Sequence, residues 1–398
     1  MNQLFEPSSL SGIRVKNRIV RSATHEGIAD EEGHPTEALI ALYTRLAKGG
    51  VGAIITGEAG VQRNGRSSAN VSLMIHRDDF IEDYRRVAIA VHRYGTPILL
   101  QLQHCGRQTN AKAIGGTPVA PSSLRDKVYR EERPKALSED EIEEIIENFI
   151  RAIERAKEAG FDGVQLHGAH GYLLSEFLSP HTNRRRDRWG GSIENRFRIL
   201  GEIYRGARQR VGSYPILVKL NAYDAQRNGI RLNETLIVAS MLEGVGCSGI
   251  EVSCGTFEDG LNTIRGPNLP LDAVFAFIPK YRDLPFLKKK ALTLVAPLLI
   301  KRHRPLENYN VPAAEAIKRR VGIPVIVVGG IKRLKDIEDI ITQGRADYVS
   351  MSRPFIIEPD LVNKFQSGQA GASRCISCNY CFIGLGARPL RCYYGRTK

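Results

Sequence analysis

The sequence contains no apolar run of about 18 residues, the length that a helix needs to cross a bilayer, so no membrane span is predicted. Its N-terminus, "MNQLFEPSSLSG", lacks the basic start and the apolar core of a secretion signal. Internal repeats and low-complexity stretches are missing as well. A hydrophobic content of 42% and a charged content of 25% are those of an ordinary soluble globular protein, and we expect a cytoplasmic location.

A nucleic-acid motif is also lacking, although the formal net charge is +14. The basic residues are spread along the whole chain, with short concentrations at 184–188 and 288–290. We therefore expect no nucleic-acid partner, and we interpret the run of arginines at 184–188 as structural. A basic surface would equally attract acidic small molecules such as phosphorylated cofactors or coenzyme A esters.

Cysteine is scarce over most of the chain, where only Cys105, Cys247 and Cys254 occur. Four more lie close together at the end of the chain: Cys375, Cys378, Cys381 and Cys392. Without a secretion signal, this clustering argues against structural disulfides and towards metal or redox chemistry. Four thiolates with spacers of two, two and ten residues are compatible with tetrahedral zinc or with an iron-sulfur cluster.

Eight short runs rich in Val, Ile and Leu predict strands that are covered on both faces, as in a parallel sheet. They lie at residues 17–23, 51–59, 96–103, 161–168, 214–221, 248–254, 323–330 and 346–352. Helical patterns separate them, such as the one that opens with Ser138 and Glu141 as a capping box. This alternation predicts an α/β fold, a (β/α)₈ TIM barrel; an open doubly wound sheet lacks the G-x-G-x-x-G that should follow its first strand.

Two segments interrupt the alternation. Residues 256–310, between strands six and seven, are too long for an ordinary connection and are predicted to be an active-site lid. Their apolar and basic mixture is also that of a membrane-surface helix, but Pro285, Pro297 and Pro305 interrupt it, and we favour the lid. The expected organisation is a barrel over residues 1–365 with this insertion, followed by a short Cys-rich tail over residues 366–398.

Polar residues gather where the predicted strands end, the usual place for the active site of such a barrel. His167, His170 and Tyr172 follow the fourth strand. Two imidazoles could bind a metal, but a third ligand is lacking, since Glu176 is a poor candidate by its spacing. The alternatives are a pair of hydrogen-bond donors for a carbonyl or anion with a tyrosine as acid, or a rim loop without a catalytic role.

Five segments together resemble the old yellow enzyme family of flavin-dependent ene-reductases, over most of residues 1–365. They are "LFEPSSLSGIRVKNRIVRSAT", "GGVGAIITGEAGV", "ILLQLQHCGRQ", "GFDGVQLHGAHGYLLSEFLSPHTNRRRDRWGGSIENRFRIL" and "GRADYVSMSRPFIIEPDL". The resemblance implies FMN at the C-terminal mouth of the barrel, reduced by NAD(P)H, and a small-molecule substrate with an activated alkene. His167 and His170 match the pair that binds the carbonyl of this substrate, and Tyr172 matches the proton donor to its α-carbon.

The same resemblance implies the contacts to FMN. Gln101 matches the amide at the pyrimidine edge, and Lys219 stands where many members carry arginine. The backbone-contacting positions after the first two strands match Ala23, Thr24 and Ala59, and the phosphate site matches Gly329, Gly330, Ser352 and Arg353. Where several members carry a residue that tunes the flavin, this chain has Thr24 followed by His25 and Glu26.

The tail resembles the cluster segment of the dienoyl-coenzyme A reductase and trimethylamine dehydrogenase branch, which implies a 4Fe-4S cluster that passes electrons to FMN. It departs from that branch in the spacing of its second and third cysteines, and the chain stops at Lys398, before further flavin and nicotinamide domains. Three interpretations stay open: a cluster fed by a separate electron-donor protein, which we favour slightly, a zinc that pins the C-terminus, or a metal-free remnant.

The leading functional prediction is reduction of α,β-unsaturated carbonyl compounds, including enoyl or dienoyl thioesters. The alternatives are amine oxidation of the trimethylamine dehydrogenase type and a flavin-containing electron-transfer protein without alkene turnover.

Overall fold

A computed structural model of the chain describes residues 3–68, 71–128, 133–267, 269–299, 303–385 and 387–396. Its central element is a closed barrel of parallel strands, β1 to β8 in chain order, in which β8 pairs with β1 and β1 with β2. The strands are Ile19–Arg21, Ala53–Gly60, Ile98–Gln103, Gly163–Gly168, Ile216–Asn221, Gly249–Ser253, Val325–Val328 and Tyr348–Met351. The predicted (β/α)₈ barrel is confirmed.

Helices cover the outside of the barrel and bury their apolar faces against it. The longest, Glu139–Glu158, begins with the predicted capping box, in which the Ser138 hydroxyl accepts from the Glu141 backbone N–H and the Glu141 carboxylate accepts from the Ser138 N–H. The other helices outside the insertion are Glu37–Lys48, Ile81–His92, Ala111–Ile114, Leu173–Leu178, Ile193–Val211, Leu232–Gly244, Val311–Lys318, Leu334–Thr342, Arg353–Ile357, Leu361–Gln366 and, in the tail, Tyr380–Gly384.

The inside of the barrel changes character along its axis, because every second residue of a strand points inward. At the N-terminal end the inward layer is apolar and includes Val20, Leu99 and Leu217. The antiparallel hairpin of Ser8–Leu10 and Ile13–Val15 closes this end by packing Leu10, Ile13 and Val15 on the same cluster. On most strands the inward side chain two residues further along is polar, whereas β7 has Val328 there. Polar side chains are therefore concentrated in the C-terminal half of the barrel.

The insertion between β6 and β7 contains a 3₁₀ turn, Phe257–Asn262, and the helices Leu271–Phe277, Pro279–Arg282 and Phe286–Leu299. The last helix starts after Pro285 and includes Pro297, so Pro297 does not end it. It exposes Phe286, Leu287, Leu294 and Leu298 to solvent. Among the helices of the described ranges, none combines the length and hydropathy needed to cross a membrane.

The tail runs back across the C-terminal mouth of the barrel. Ala372 forms an antiparallel bridge with Arg333, and the Leu390 N–H donates to the Glu26 carbonyl 2.9 Å away. The Tyr393 ring lies 5.1 Å from the ring of Phe277 in the insertion. The tail therefore packs on both the barrel and the insertion, and the division expected after residue 365 falls within the helix Leu361–Gln366.

Candidate active site

A cavity opens at the C-terminal mouth of the barrel, between the strand ends, the insertion and the tail. Phe257, Thr263 and Ile264 line it from the insertion, and Cys375, Ser377 and Phe382 from the tail. Eleven of the twelve residues predicted for catalysis or FMN binding also line it: Ala23, Thr24, Gln101, His167, His170, Tyr172, Lys219, Gly329, Gly330, Ser352 and Arg353.

Ala59 is the predicted residue that this lining does not contain. It is fully buried and pairs with Leu102 of β3, while its neighbour Glu58 lines the cavity. The physical reason is a register shift between Ile55 and Glu58, which adds one residue to β2 relative to β3. If side chains alternated strictly between the two faces of β2, residues 55, 57 and 59 would all point into the barrel. The extra residue shifts this alternation by one position, so the side chain of Glu58 points inward and that of Ala59 does not.

A layer of buried polar side chains forms the floor beneath the cavity. The Gln101 amide donates to the Gln165 carbonyl oxygen (2.7 Å), and the Gln165 amide donates to the Glu251 carboxylate (2.8 Å). Glu251 pairs with the Lys219 ammonium at 3.2 Å and accepts hydrogen bonds from the hydroxyls of Ser22 and Ser350, both at 2.6 Å. The layer thus joins β3, β4, β5 and β6 to Ser350 of β8 and to Ser22, which directly follows β1.

Above this layer, His167, His170 and Tyr172 form one cluster. The His167 ring lies 5.0 Å from that of His170 and 4.8 Å from that of Tyr172, in edge-to-face arrangements. His170 has a left-handed backbone with φ of 65°, held by a bond from its N–H to the Asn221 side chain, and its Nε2 lies 2.7 Å from the Ser253 hydroxyl. This geometry places both rings at the cavity wall.

Both imidazoles are uncharged. Burial lowers the pKa of His167 well below its usual range, with further lowering by His170 and Lys219. Burial and Lys219 lower the pKa of His170 to about 3. Neutral imidazoles offer N–H donors without a formal charge, which suits a carbonyl oxygen that gains negative charge during a reaction. In the described part of the chain, no group of three or more His, Cys, Asp and Glu side chains is arranged to hold a metal ion.

Gly329 and Gly330 lie at the end of β7, where the preceding loop crosses closely. A Cβ on Gly329 would lie 2.8 Å from Asn310 Nδ2, and one on Gly330 would lie 2.3 Å from the Leu306 carbonyl oxygen. Gly330 also has a φ of +73°. Both positions therefore favour glycine, and both residues line the cavity together with Ser352 and Arg353.

The comparisons with known proteins agree with this geometry. A family model described as "NADH:flavin oxidoreductase / NADH oxidase family" matches residues 3–254 and 282–371, and the unmatched interval lies at the insertion. The chain belongs to this family. The family and the enzyme class expected from the old yellow enzyme resemblance are thereby confirmed.

Two curated relatives of this chain are an "NADH oxidase" of Thermoanaerobacter brockii and a "4,4'-dithiodibutanoate disulfide reductase" of Rhodococcus erythropolis. The first is 36% identical over 96% of this chain and 53% of its own length, and the second is 30% identical over 95% and 92%. A "Metal reductase" of Desulforamulus reducens is 33% identical over 95% of this chain and 51% of its own length. The chain thus spans about half the length of the first and third of these relatives.

Solved structures share the fold at low sequence identity. A 2-naphthoyl-CoA reductase in complex with 2-naphthoyl-CoA matches with a TM-score of 0.82 and 24% identity over 98% of this chain and 56% of its own. The old yellow enzyme homologue from Zymomonas mobilis matches with a TM-score of 0.74 and 24% identity over 99% and 98%. At this identity they support the barrel alone.

The four thiols of the tail are free and partly buried, and Cys375 lines the cavity. Burial raises the pKa of Cys381 to about 12 against the opposing charge of Arg353, and the other three thiols add to the increase. In the described residues the thiols do not converge as a set of metal ligands. The predicted metal site stays a prediction.

Arg353 ties the tail and the insertion to the cavity. Its guanidinium donates to the Asn379 side chain at 2.7 Å and to the Arg265 carbonyl at 2.8 Å. Ser352, beside it, lies 2.8 Å from the Thr24 hydroxyl. In contrast, the basic run at 184–188 binds within the scaffold: Arg185 pairs with Asp187 at 2.6 Å, and Arg188 pairs with Glu143 at 2.6 Å. This agrees with its structural interpretation.

His25 and Glu58 form a cavity-lining pair that the sequence interpretation did not identify as a site. His25 Nδ1 lies 2.7 Å from the Glu58 carboxylate, and the buried His25 Nε2 has no hydrogen-bond partner among the described residues. Burial lowers the pKa of His25, but the charge and hydrogen bond of Glu58 outweigh it and the net shift is upward. The sequence signal for this pair was the position of His25 shortly after the first strand. Its partner Glu58 could not be predicted, because Glu58 faces the cavity only through the bulge in β2.

The His25–Glu58 pair predicts a pH-dependent stability. Because the folded pKa of His25 is raised above 6.5, the stabilisation from its proton is fully present below that pH and is lost as pH rises through the folded pKa. We expect Glu58→Gln to lower the free energy of unfolding at pH 6 and to have a smaller effect at pH 9. Urea denaturation of both proteins at the two pH values measures this, and a pH-independent difference would contradict it.

The glycine requirement at the end of β7 predicts that Gly330→Ala destabilises the protein by more than the roughly 1–2 kcal/mol of a left-handed alanine, since the loop at Leu306 must also move. Gly344→Ala is the matched control, because its φ is +64° and nothing lies within 4 Å of the added Cβ. Thermal unfolding compares the two. Equal losses of stability would show that the close approach is not limiting.

Proposed function

We propose that the chain is an FMN-dependent ene-reductase that transfers hydride to the activated C=C bond of α,β-unsaturated carbonyl compounds. The observation that carries the proposal is the cluster of two neutral imidazoles and a tyrosine at the wall of one cavity whose floor is the Gln101 and Lys219 layer. Neither a bare binding module nor a storage protein requires uncharged donors and an acid at one point.

The residues around the cavity fit FMN at both ends. Gln101 and Lys219 offer an amide and a cation for the pyrimidine edge of a flavin, and both are buried in the floor of the cavity. Gly329, Gly330, Ser352 and Arg353 also line the cavity and would offer backbone N–H groups, a hydroxyl and a guanidinium, the chemistry that a phosphate monoester requires. Ala23 and Thr24 line the wall between these ends. Bound FMN would supply the hydride.

The protein residues then act on the substrate. His167 and His170 would donate hydrogen bonds to its carbonyl oxygen, which withdraws electron density from the alkene and stabilises the charge that develops as hydride arrives. Tyr172 would protonate the α-carbon, since a phenol is acidic enough to protonate an enolate. The rings of Phe257 and Phe382, 6.1 Å apart, add an apolar wall that would exclude water from the reacting carbon.

The names of the relatives support the choice of reductant. NADH oxidase and NADPH dehydrogenase relatives favour NAD(P)H as the electron donor. A small-molecule partner in the cytoplasm completes the proposal. A separate donor protein is required only if the tail carries a cluster.

Anaerobic turnover of cyclohexenone with NADPH or NADH tests the function. We expect His167→Ala combined with His170→Ala to lower kcat/KM by about 100-fold or more, the usual cost of removing an oxyanion donor, with FMN still bound. His92→Ala is the control, because His92 lies outside the cavity and pairs with Asp162. Undiminished turnover would refute the roles of the pair, and turnover of trimethylamine in place of cyclohexenone would assign the chain to amine oxidation.

We further propose that Cys375, Cys378, Cys381 and Cys392 bind a 4Fe-4S cluster, with zinc as the alternative. Four cysteines supply the complete ligand set of either site. Anaerobic purification followed by iron, sulfide and zinc determination decides between them, and Cys378→Ser should abolish the metal in either case. A wild-type protein with neither metal would contradict this proposal and leave the tail as a metal-free cover of the cavity.

A further inference from the structure

Glu251 is the central residue of the polar layer, although it does not line the cavity. It lies in β6 and is fully buried. Its cationic partner Lys219 is buried as well, with 3% of its surface exposed. One carboxylate oxygen accepts from Ser22 and Ser350, and the other contacts Lys219 and accepts from Gln165. The carboxylate therefore has its hydrogen-bonding capacity filled from four directions.

The carboxylate is ionised despite its burial. Burial alone would raise the pKa of Glu251, but the Lys219 charge and the hydrogen bonds from Ser22, Ser350 and Gln165 outweigh it and hold the pKa below its ordinary value. A buried charge pair of this kind contributes little to stability compared with apolar packing. The barrel's lower layer is apolar at the equivalent positions, so the fold itself does not demand a pair here.

Lys219 is the member of the pair that lines the cavity. Its ammonium is held from below by Glu251 and by the Ser22 hydroxyl, 2.9 Å from Nζ. A cation at the floor of the cavity stabilises a ligand that gains negative charge, and a carboxylate behind that cation weakens the effect while fixing the cation's position.

We propose that Glu251 is a positioning residue that fixes Lys219 against the floor of the cavity and offsets its charge, and so lowers the reduction potential of the flavin bound above it. The inference rests on the proposed function only in that FMN occupies the cavity. No ligand or reactant other than FMN is needed for this effect, because reduction of the flavin itself would add negative charge next to Lys219.

The deciding variant is Glu251→Gln, which keeps the shape of the side chain and removes its charge. Lys219 then lacks its counter-charge, and we expect the midpoint potential of the bound FMN to rise by about 30 mV or more. That rise corresponds to a tenfold gain in the affinity for reduced over oxidised FMN in a two-electron couple. A potential that is unchanged or lower, in a variant that still binds FMN, would overturn the proposal.

Two further variants separate charge from structure. Ser350→Ala removes a neutral hydrogen bond to Glu251 from the same layer and leaves the Glu251 charge in place, so its potential should shift by less than that of Glu251→Gln. Lys219→Met should lower the potential and cause Glu251 to take up a proton, because a buried carboxylate without its cation is costly. In that background Glu251→Gln should change the potential little. If Glu251→Gln shifts the potential by the full amount in the Lys219→Met background, Glu251 does not act through Lys219.

Outcomes for this inference and for the proposed function are distinguishable. A wild-type protein that binds no FMN refutes the proposed function, whereas a protein that binds FMN and reduces cyclohexenone with no response to Glu251→Gln refutes the inference alone. If Glu251→Gln does not fold, Glu251→Asp replaces it: the shorter side chain retracts the charge from Lys219 and should raise the potential by a smaller amount, and no rise would overturn the proposal.

Discussion

The pairing of Lys219 with Glu251 inside the barrel is the constraint on which the site depends. Two charges removed from water are tolerated only if their remaining hydrogen-bonding groups are satisfied, and here Gln165, Ser22 and Ser350 satisfy them. These partners come from different strands around the ring. The barrel must therefore close in one register for the pair to form, and the same register sets the height of His167 above it.

The layers inside the barrel explain why chemistry occurs at one end. An apolar layer and the N-terminal hairpin fill the lower half, which gives the polar layer a rigid base. The neutral imidazoles lie one step higher, where burial and Lys219 suppress their protonation. The cation that would stabilise a reduced flavin is thus also a reason why His167 and His170 stay uncharged donors.

The roof of the site comes from segments outside the barrel. Arg353 is bound by Asn379 of the tail and by the Arg265 carbonyl of the insertion, so the predicted phosphate end of the cavity is tied to both. Cys375 lines the cavity itself. A change in the chemical state of the Cys375 thiol would consequently occur at the wall of the cavity.

The sequence by itself determined the barrel, its eight strands and the rim on which His167, His170, Tyr172, Gln101 and Lys219 converge, because apolar periodicity and strand-end position are local properties of the chain. It did not determine that Glu58 replaces Ala59 at the wall, since the bulge in β2 is visible only in its register with β3. The partners Glu251 and Gln165 were likewise hidden: each is one polar residue in an apolar run, and only barrel closure brings them to Lys219. The tertiary structure alone decided these contacts, because they join residues that are far apart in the chain and meet through strand register.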